Sequence, residues 1–296
     1  MHAGTRRRGE NHVFYSADMH ARLTRKLLYQ AELYRAWEEK RFVLHYHAIC
    51  DARSGKMKGM EALIRWDRPD GHLVAPADFV GTLEDTGLIV PVGEWVIQEA
   101  CRQNQAWTQA GLPPITVAVN VSPLQLKEGN GLVAVIRRAL QESGLAASQL
   151  CLEITEGMAM GPTHASSQTL EQLKTLGLSI AIDDFGTGYS SLAYLQNFPV
   201  DAIKIDRSFV EELSEETPDA NIVSAVIALA HRLNMSVTAE GVQSALQLKL
   251  LKSFGCNMVQ GFALGKPLPA AVFESDVLRS RGWQSVTDRF FGVARC

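Results

Sequence analysis

With 296 residues, 46% of them hydrophobic and 21% charged, the chain has room for one large globular domain or two small ones. A net charge of −3 and a pI near 6.3 argue against a basic face for duplex nucleic acid, and the Arg6-Arg7-Arg8 triplet is too short and too terminal to change that. The five cysteines form no CxxC pair, there is no HExxH motif, and no apolar run approaches the roughly 18 residues of a membrane span, so a cytoplasmic domain with reduced thiols is expected, whatever anchor a longer parent protein carries.

From the N-terminus, residues 1–38 read as a linker followed by one helix. Met19 to Phe42 carries no Gly or Pro, and Leu23, Leu27, Leu28, Leu33, Tyr34 and Trp37 recur near helical spacing, which predicts a helix lying sideways on the main domain. The pattern then alternates. Eight short β-rich runs follow: FVLHYHAI (42–49), GMEALIRW (59–66), ITVAVN (115–120), CLEI (151–154), LSIAID (178–183), AIKID (202–206), SVTAE (236–240) and NMVQG (257–261). Helical stretches separate most of them, ending at Gly111, Gly144, Gly177 and Asn234, and Thr163 is placed to cap the third. The acidic run EELSEETPD (211–219) reads as a solvated linker and His231 as a helix-face residue.

Eight strands alternating with helices over residues 39–280 predict a TIM-like (β/α)8 barrel; a doubly wound open sheet would have fewer strands and a GxGxxG turn. The segment CDARSGKMK between the first two strands is too short for a crossover helix, so one strand runs antiparallel to its neighbour. Residues 281–296 are left as a tail.

In such barrels the chemistry sits at the C-terminal ends of the strands. Asn120, Glu153, Asp183, Asp184, Glu240 and Gln260 fall at or near those ends, Glu61 lies inside the second run, and Lys204 and Asp206 are two apart on one face of the sixth. Buried carboxylates are costly unless paired or metal-bound, and here only Lys204 and Arg65 offer compensation. All-oxygen ligation favours Mg²⁺ or Mn²⁺ over zinc. Two such ions about 4 Å apart could clamp the attacking and leaving oxygens of a phosphodiester and activate water. The sharpest signal is SIAIDDFGTGYSSL (179–192). A plain turn needs one Asp and one Gly, and side chains at i and i+1 of a strand face opposite ways, so the backbone must bend for Asp183 and Asp184 to serve one site.

EALIRW (61–66), NVSPLQL (120–126), LEITE (152–156), DDFGTGYSSL (183–192), KIDRSFV (204–210), AEGV (239–242), and QGF (260–262) with GKPLP (265–269) together resemble the EAL domain family, in order and spacing, from about Phe42 to Leu268. The resemblance implies a TIM-like barrel with an antiparallel strand that hydrolyses cyclic di-GMP to linear pGpG with Mg²⁺ or Mn²⁺, two ions being expected. It implies metal ligation by Glu61, Asn120, Glu153, Asp183, Asp184 and Glu240. Lys204 matches the residue that orients or activates the attacking water, with Gln260 hydrogen-bonding near it and Glu240 completing the catalytic group; Arg65 and Asp206 are expected on the substrate. Glu156 matches the acid that braces the loop after the two aspartates, where Gly186 and Gly188 would allow a tight turn and Thr187, Ser190 and Ser191 would bond to Glu156.

That loop is linked to dimerisation in the family, so a homodimer is expected. GENHVFYSADMHARL (9–23) resembles the junction after a GGDEF domain, which implies an upstream GGDEF or sensory domain in a longer parent. One departure stands out: Tyr46-His47-Ala48-Ile49-Cys50 replaces the YQPIV of many members, putting His47 where the family has a Gln near the substrate. No metal position is lost, so activity is expected to survive. Two other functions compete. A catalytically silent cyclic di-GMP receptor would have lost some of these acids, and an enolase-like lyase fits the acid ring only loosely.

Overall fold

The computed structural model describes residues 17–159, 164–187, 198–214 and 218–279. Its strands are β1 (Phe42–Asp51), β2 (Met57–Asp67), β3 (Leu73–Val74), β4 (Thr116–Asn120), β5 (Leu150–Thr155), β6 (Ser179–Phe185), β7 (Ala202–Ile205), β8 (Ser236–Ala239), β9 (Met258–Val259) and β10 (Leu268–Pro269). The parallel strands are apolar almost throughout: Val117-Ala118-Val119 on β4 and Ile180-Ala181-Ile182 on β6 are buried. Continuous burial of this kind is what a parallel strand covered on both faces requires.

Eight strands close into a ring in the order β1-β2-β4-β5-β6-β7-β8-β9, with β9 pairing back to β1. All neighbours from β2 through β9 are parallel, and β1 is antiparallel to both β2 and β9. The cause is the short link from Asp51 to Met57, which can only make a hairpin. Every predicted strand therefore exists, in a TIM-like (β/α)8 barrel with one antiparallel strand. The two-residue strands β3 and β10 extend β2 and β1 outside the ring and were not foreseen.

Helix α1 (Ala17–Glu38) buries apolar side chains in its second half, while Lys26 in its first half pairs with Asp85 at 2.8 Å. Leu33 and Ala36 are buried and the Tyr29 ring meets Trp66 edge-on at 5.7 Å, whereas Leu23, Leu27 and Leu28 are 51–61% exposed. The helices α2 (Pro76–Thr86), α3 (Ile89–Gln109) and α5 (Asn130–Ser143), with α4 (Pro123–Lys127) between the last two, pack outside the ring. Further helices span His164–Thr175 and Pro218–Arg232. The left-handed residues Gly111, Gly144, Gly177 and Asn234 stand where helix ends were expected, while Thr163 lies outside the described residues. Near the C-terminal end of the described chain, Phe273 packs on Tyr46 and Trp107, and the indole of Trp107 donates to Glu274 at 3.1 Å. His231 lies on a helix as expected, bonded to Asn257 Oδ1 at 2.9 Å. Glu211, read as part of a solvated acidic linker, instead ends a short helix, Arg207–Glu211, and pairs with Arg207 and Gln243.

Candidate active site

Ring closure sets the inward-pointing side chains of β2, β5, β6 and β7 against one another. Lys204, on β7, is 2% exposed, and its ammonium lies among four carboxylates: Glu240 at 2.6 Å, Glu153 at 2.9 Å, Asp183 at 3.2 Å and Glu61 at 3.6 Å. One cation against four carboxylates leaves a large negative excess in a place water hardly reaches. Apart from that ammonium, the buried oxygens Glu153 Oε2, Asp183 Oδ1 and Glu240 Oε1 have no hydrogen-bond donor.

The proton affinities follow from this imbalance. Burial pushes the Glu153 carboxyl well above its ordinary range, and the neighbouring charge of Glu61 adds to the effect. Glu240 is pushed up to about 7, chiefly by burial, with Asp183 and Glu61 contributing and Lys204 opposing. Glu61 goes the other way. Burial would raise it, but Lys204 and two amide donors, Gln260 Nε2 at 2.8 Å and Asn120 Nδ2 at 2.8 Å, hold it below its usual value. Burial alone would lower the proton affinity of Lys204; Glu153, Glu61, Glu240 and Asp183 outweigh that and raise it well above the usual lysine range.

At the end of β6 the backbone bends as the paired acids require. Asp184 adopts φ +54°, and the register with β7 shifts between Ile182 and Phe185. The Asp184 side chain is exposed, and its carboxyl is raised by partial burial and by the nearby charges of Asp183 and Asp206. Gly186 follows at φ +102°, where a Cβ would meet the Phe209 ring at 2.8 Å, and its N–H donates to the buried Glu156 Oε2 at 2.8 Å. Thr187, expected against Glu156, instead donates to the Asp184 carbonyl at 2.9 Å, because its hydroxyl turns back into the bend. Gly188, Ser190 and Ser191 lie outside the described residues.

Asp206 sits differently from the reading of the sixth run as one strand. β7 stops at Ile205, and Asp206 caps the next helix by accepting the Ser208 N–H at 2.9 Å. Its backbone stays extended, and its carboxylate remains near enough to Asp184 to raise it. Arg65 is half-buried and forms no ion pair among the described contacts; one guanidinium nitrogen donates to the Ile64 carbonyl at 2.9 Å. Arg65 nonetheless lines the cleft that opens onto Glu61, Glu240 and Gln260, a space of about 270 Å³. Arg207 and Phe262 line it too, and the sequence reading passed over both. Both lie inside quoted motifs, Arg207 in KIDRSFV and Phe262 in QGF, so membership of a motif was the available signal.

The sequence profile described as "EAL domain" matches residues 30–267. The chain belongs to the EAL domain family. Over 259 residues this EAL chain is 46% identical to MucR of Pseudomonas aeruginosa, a bifunctional diguanylate cyclase/cyclic di-GMP phosphodiesterase, covering 88% of the chain and 38% of MucR. NbdA of the same organism, a cyclic di-GMP phosphodiesterase, is 40% identical over 264 residues, covering 89% of the chain and 34% of NbdA. The solved PaMucR phosphodiesterase in complex with c-di-GMP aligns with a TM-score of 0.79 at 47% identity, covering 82% of this chain and 98% of that one. The chain thus spans little more than a third of the length of these curated relatives. Among the described residues of this EAL chain no helix is long and apolar enough to cross a membrane. No three His, Cys, Asp or Glu side chains among them converge on one point as a preformed metal cage, the centre of the acid cluster being occupied by the Lys204 ammonium.

Proposed function

We propose that this EAL domain hydrolyses cyclic di-GMP to linear pGpG with two divalent cations, Mg²⁺ or Mn²⁺. The observation that carries the reading is the buried cluster of four carboxylates around Lys204, three of whose oxygens have no donor besides that one ammonium. An oxygen-only donor set with excess negative charge fits a hard divalent cation. Glu61, Asn120, Glu153, Asp183, Asp184 and Glu240 would hold the ions. When bound, such ions polarise phosphoryl oxygens and acidify water.

The chain's own groups have separable tasks. Lys204 stays protonated, so it orients the attacking water and screens developing negative charge rather than removing a proton. Glu240 faces the cleft 2.6 Å from Lys204 and is the group available to receive the proton. Gln260 hydrogen-bonds beside them, and Arg65 and Asp206 contact the substrate, the guanidinium suiting a phosphate. Glu156 braces the bend after Asp183 and Asp184 through Gly186.

The functional unit comprises residues 39–280, with 1–38 as a linker and helix and 281–296 as a tail. It works in the cytoplasm as a homodimer, in a parent with an upstream GGDEF or sensory domain; the name of MucR supports that pairing of activities. Incubating purified protein with cyclic di-GMP and Mg²⁺ or Mn²⁺, with and without EDTA, tests the core reading by chromatography. pGpG appearing only with metal is expected. Tight nucleotide binding without product would make the domain a receptor instead.

A further inference from the structure

Beside the ammonium cluster runs a buried chain of directional hydrogen bonds. His47 Nε2 lies 2.9 Å from the Gly265 carbonyl oxygen. A carbonyl only accepts, so Nε2 carries the hydrogen and Nδ1 is left as an acceptor. Gln260 Nε2 donates one hydrogen to that Nδ1 at 2.9 Å and the other to Glu61 Oε2 at 2.8 Å. Both amide hydrogens are thereby used, and Gln260 Oε1 is buried with no hydrogen-bond partner. Turning the amide over would set its oxygen against a carboxylate oxygen and an imidazole lone pair, two repulsive contacts at once.

The fold holds this chain from both sides. His47 faces Glu61 directly across the β1–β2 ladder. Gly261 lets the backbone after Gln260 approach Val242 so closely that a Cβ would lie 2.2 Å from the Val242 carbonyl oxygen. His47 and Gln260 are 8% and 3% exposed, and both line the cleft. Burial, outweighing the pull of Glu61, holds the imidazole below its ordinary range, in keeping with a neutral ring that has one acceptor nitrogen.

We propose that His47 is a positioning residue that fixes the polarity of the Gln260 carboxamide, so that Gln260 presents an unpaired oxygen to the reacting water or substrate. A buried amide oxygen without a donor is unfavourable in the resting site and is satisfied when a donor enters. The proposal rests on the hydrolytic reading of the site and adds to it the residue that decides which end of Gln260 faces the chemistry.

The test compares His47→Phe, Gln260→Met, the double variant and His47→Asn in cyclic di-GMP hydrolysis with Mn²⁺, thermal melts confirming that each is folded. His47→Phe is expected to lower kcat roughly five- to tenfold with KM within about twofold, the effect of one hydrogen bond on a transition state. The double variant should be no slower than Gln260→Met, because His47 acts through Gln260. His47→Asn, which returns an acceptor oxygen near the place of Nδ1, should recover most of the rate. Additive losses, a change confined to KM, or no recovery with Asn would overturn the proposal. Nitrogen-15 NMR of the wild-type imidazole needs no turnover. The Nε2–H form, with an Nδ1 resonance that moves in Gln260→Met, is expected; the opposite tautomer or an unmoved resonance overturns the proposal even if the wild type proves inactive, an outcome that would by itself count only against the hydrolytic reading.

Discussion

Lys204 is the residue on which the site turns. It lies at the centre of four carboxylates, three on strands far apart in sequence and the fourth, Glu240, just past the end of β8, and it competes with any cation for the same oxygens. Lys204→Met is therefore expected to bind Mn²⁺ more tightly by titration calorimetry while losing about 10²–10³ of its hydrolysis rate, a usual range for removing one preorganised group that stabilises developing charge. Weaker metal binding in this variant would contradict the role of the ammonium as counter-charge. At the same scale, the adjacent acids of β6 were legible from residue order: two neighbouring acids at a strand end called for a bend, and the backbone bends there, with Asp184 at φ +54°. The hydrogen bonds of His47 were not legible. The sequence marks His47 as a departure from a family pattern, but its partners, Gln260 and Gly265, are more than two hundred residues away.

Elements form where local signals agree and dock where tertiary contacts allow. In α1 the spacing of Leu23, Leu27, Leu28 and Leu33 is helical throughout, yet of these only Leu33, in the second half of the helix, is buried. Periodicity reports which residues share a face, and a face meets the core only over the length of the neighbour opposite. Leu33→Ala is accordingly expected to cost about 2–4 kcal/mol by urea denaturation, as for a buried leucine in a packed core. Leu27→Ala, at 57% exposure, should change stability by less than about 0.5 kcal/mol. Equal effects would mean that α1 docks differently. The sixth β-rich run offers the complementary case. It was read through Asp206, but β7 ends at Ile205 because the Asp206 side chain is used to cap the following helix, and capping requires the residue to stand outside both elements.

The closed barrel as a whole concentrates charge that no single element would hold. The folded pKa of Glu240 is about 7 against an ordinary 4.5, so between those values the native protein keeps a proton that the unfolded chain has released. Stability of the metal-free protein therefore falls as pH rises through that window, by up to about 3 kcal/mol at about 1.4 kcal/mol per unit. The upward shift of Glu153 acts in the same direction, Lys204 stays charged in both states across this window, and the downward shift of Glu61 acts below it. Cation binding needs the ionised carboxylates, so the stabilisation given by Mg²⁺ should grow over the same range. Melting curves in EDTA and in MgCl₂ at several pH values between 4.5 and 7.5 check both slopes; a flat profile in EDTA would mean that the acids are not coupled as described.

By itself the sequence determined the eight ring strands, most of the helices, the need for an antiparallel strand and the inventory of acids. Strand alternation, helix caps and a link too short for a helix are all local properties that neighbouring residues settle among themselves. Only the tertiary structure decided that β1 is antiparallel to both neighbours, that Lys204 faces four carboxylates and that His47 orients toward Gln260. Each of those depends on the register with which distant strands meet when the ring closes, and register is a property of the whole closed sheet rather than of any stretch of chain.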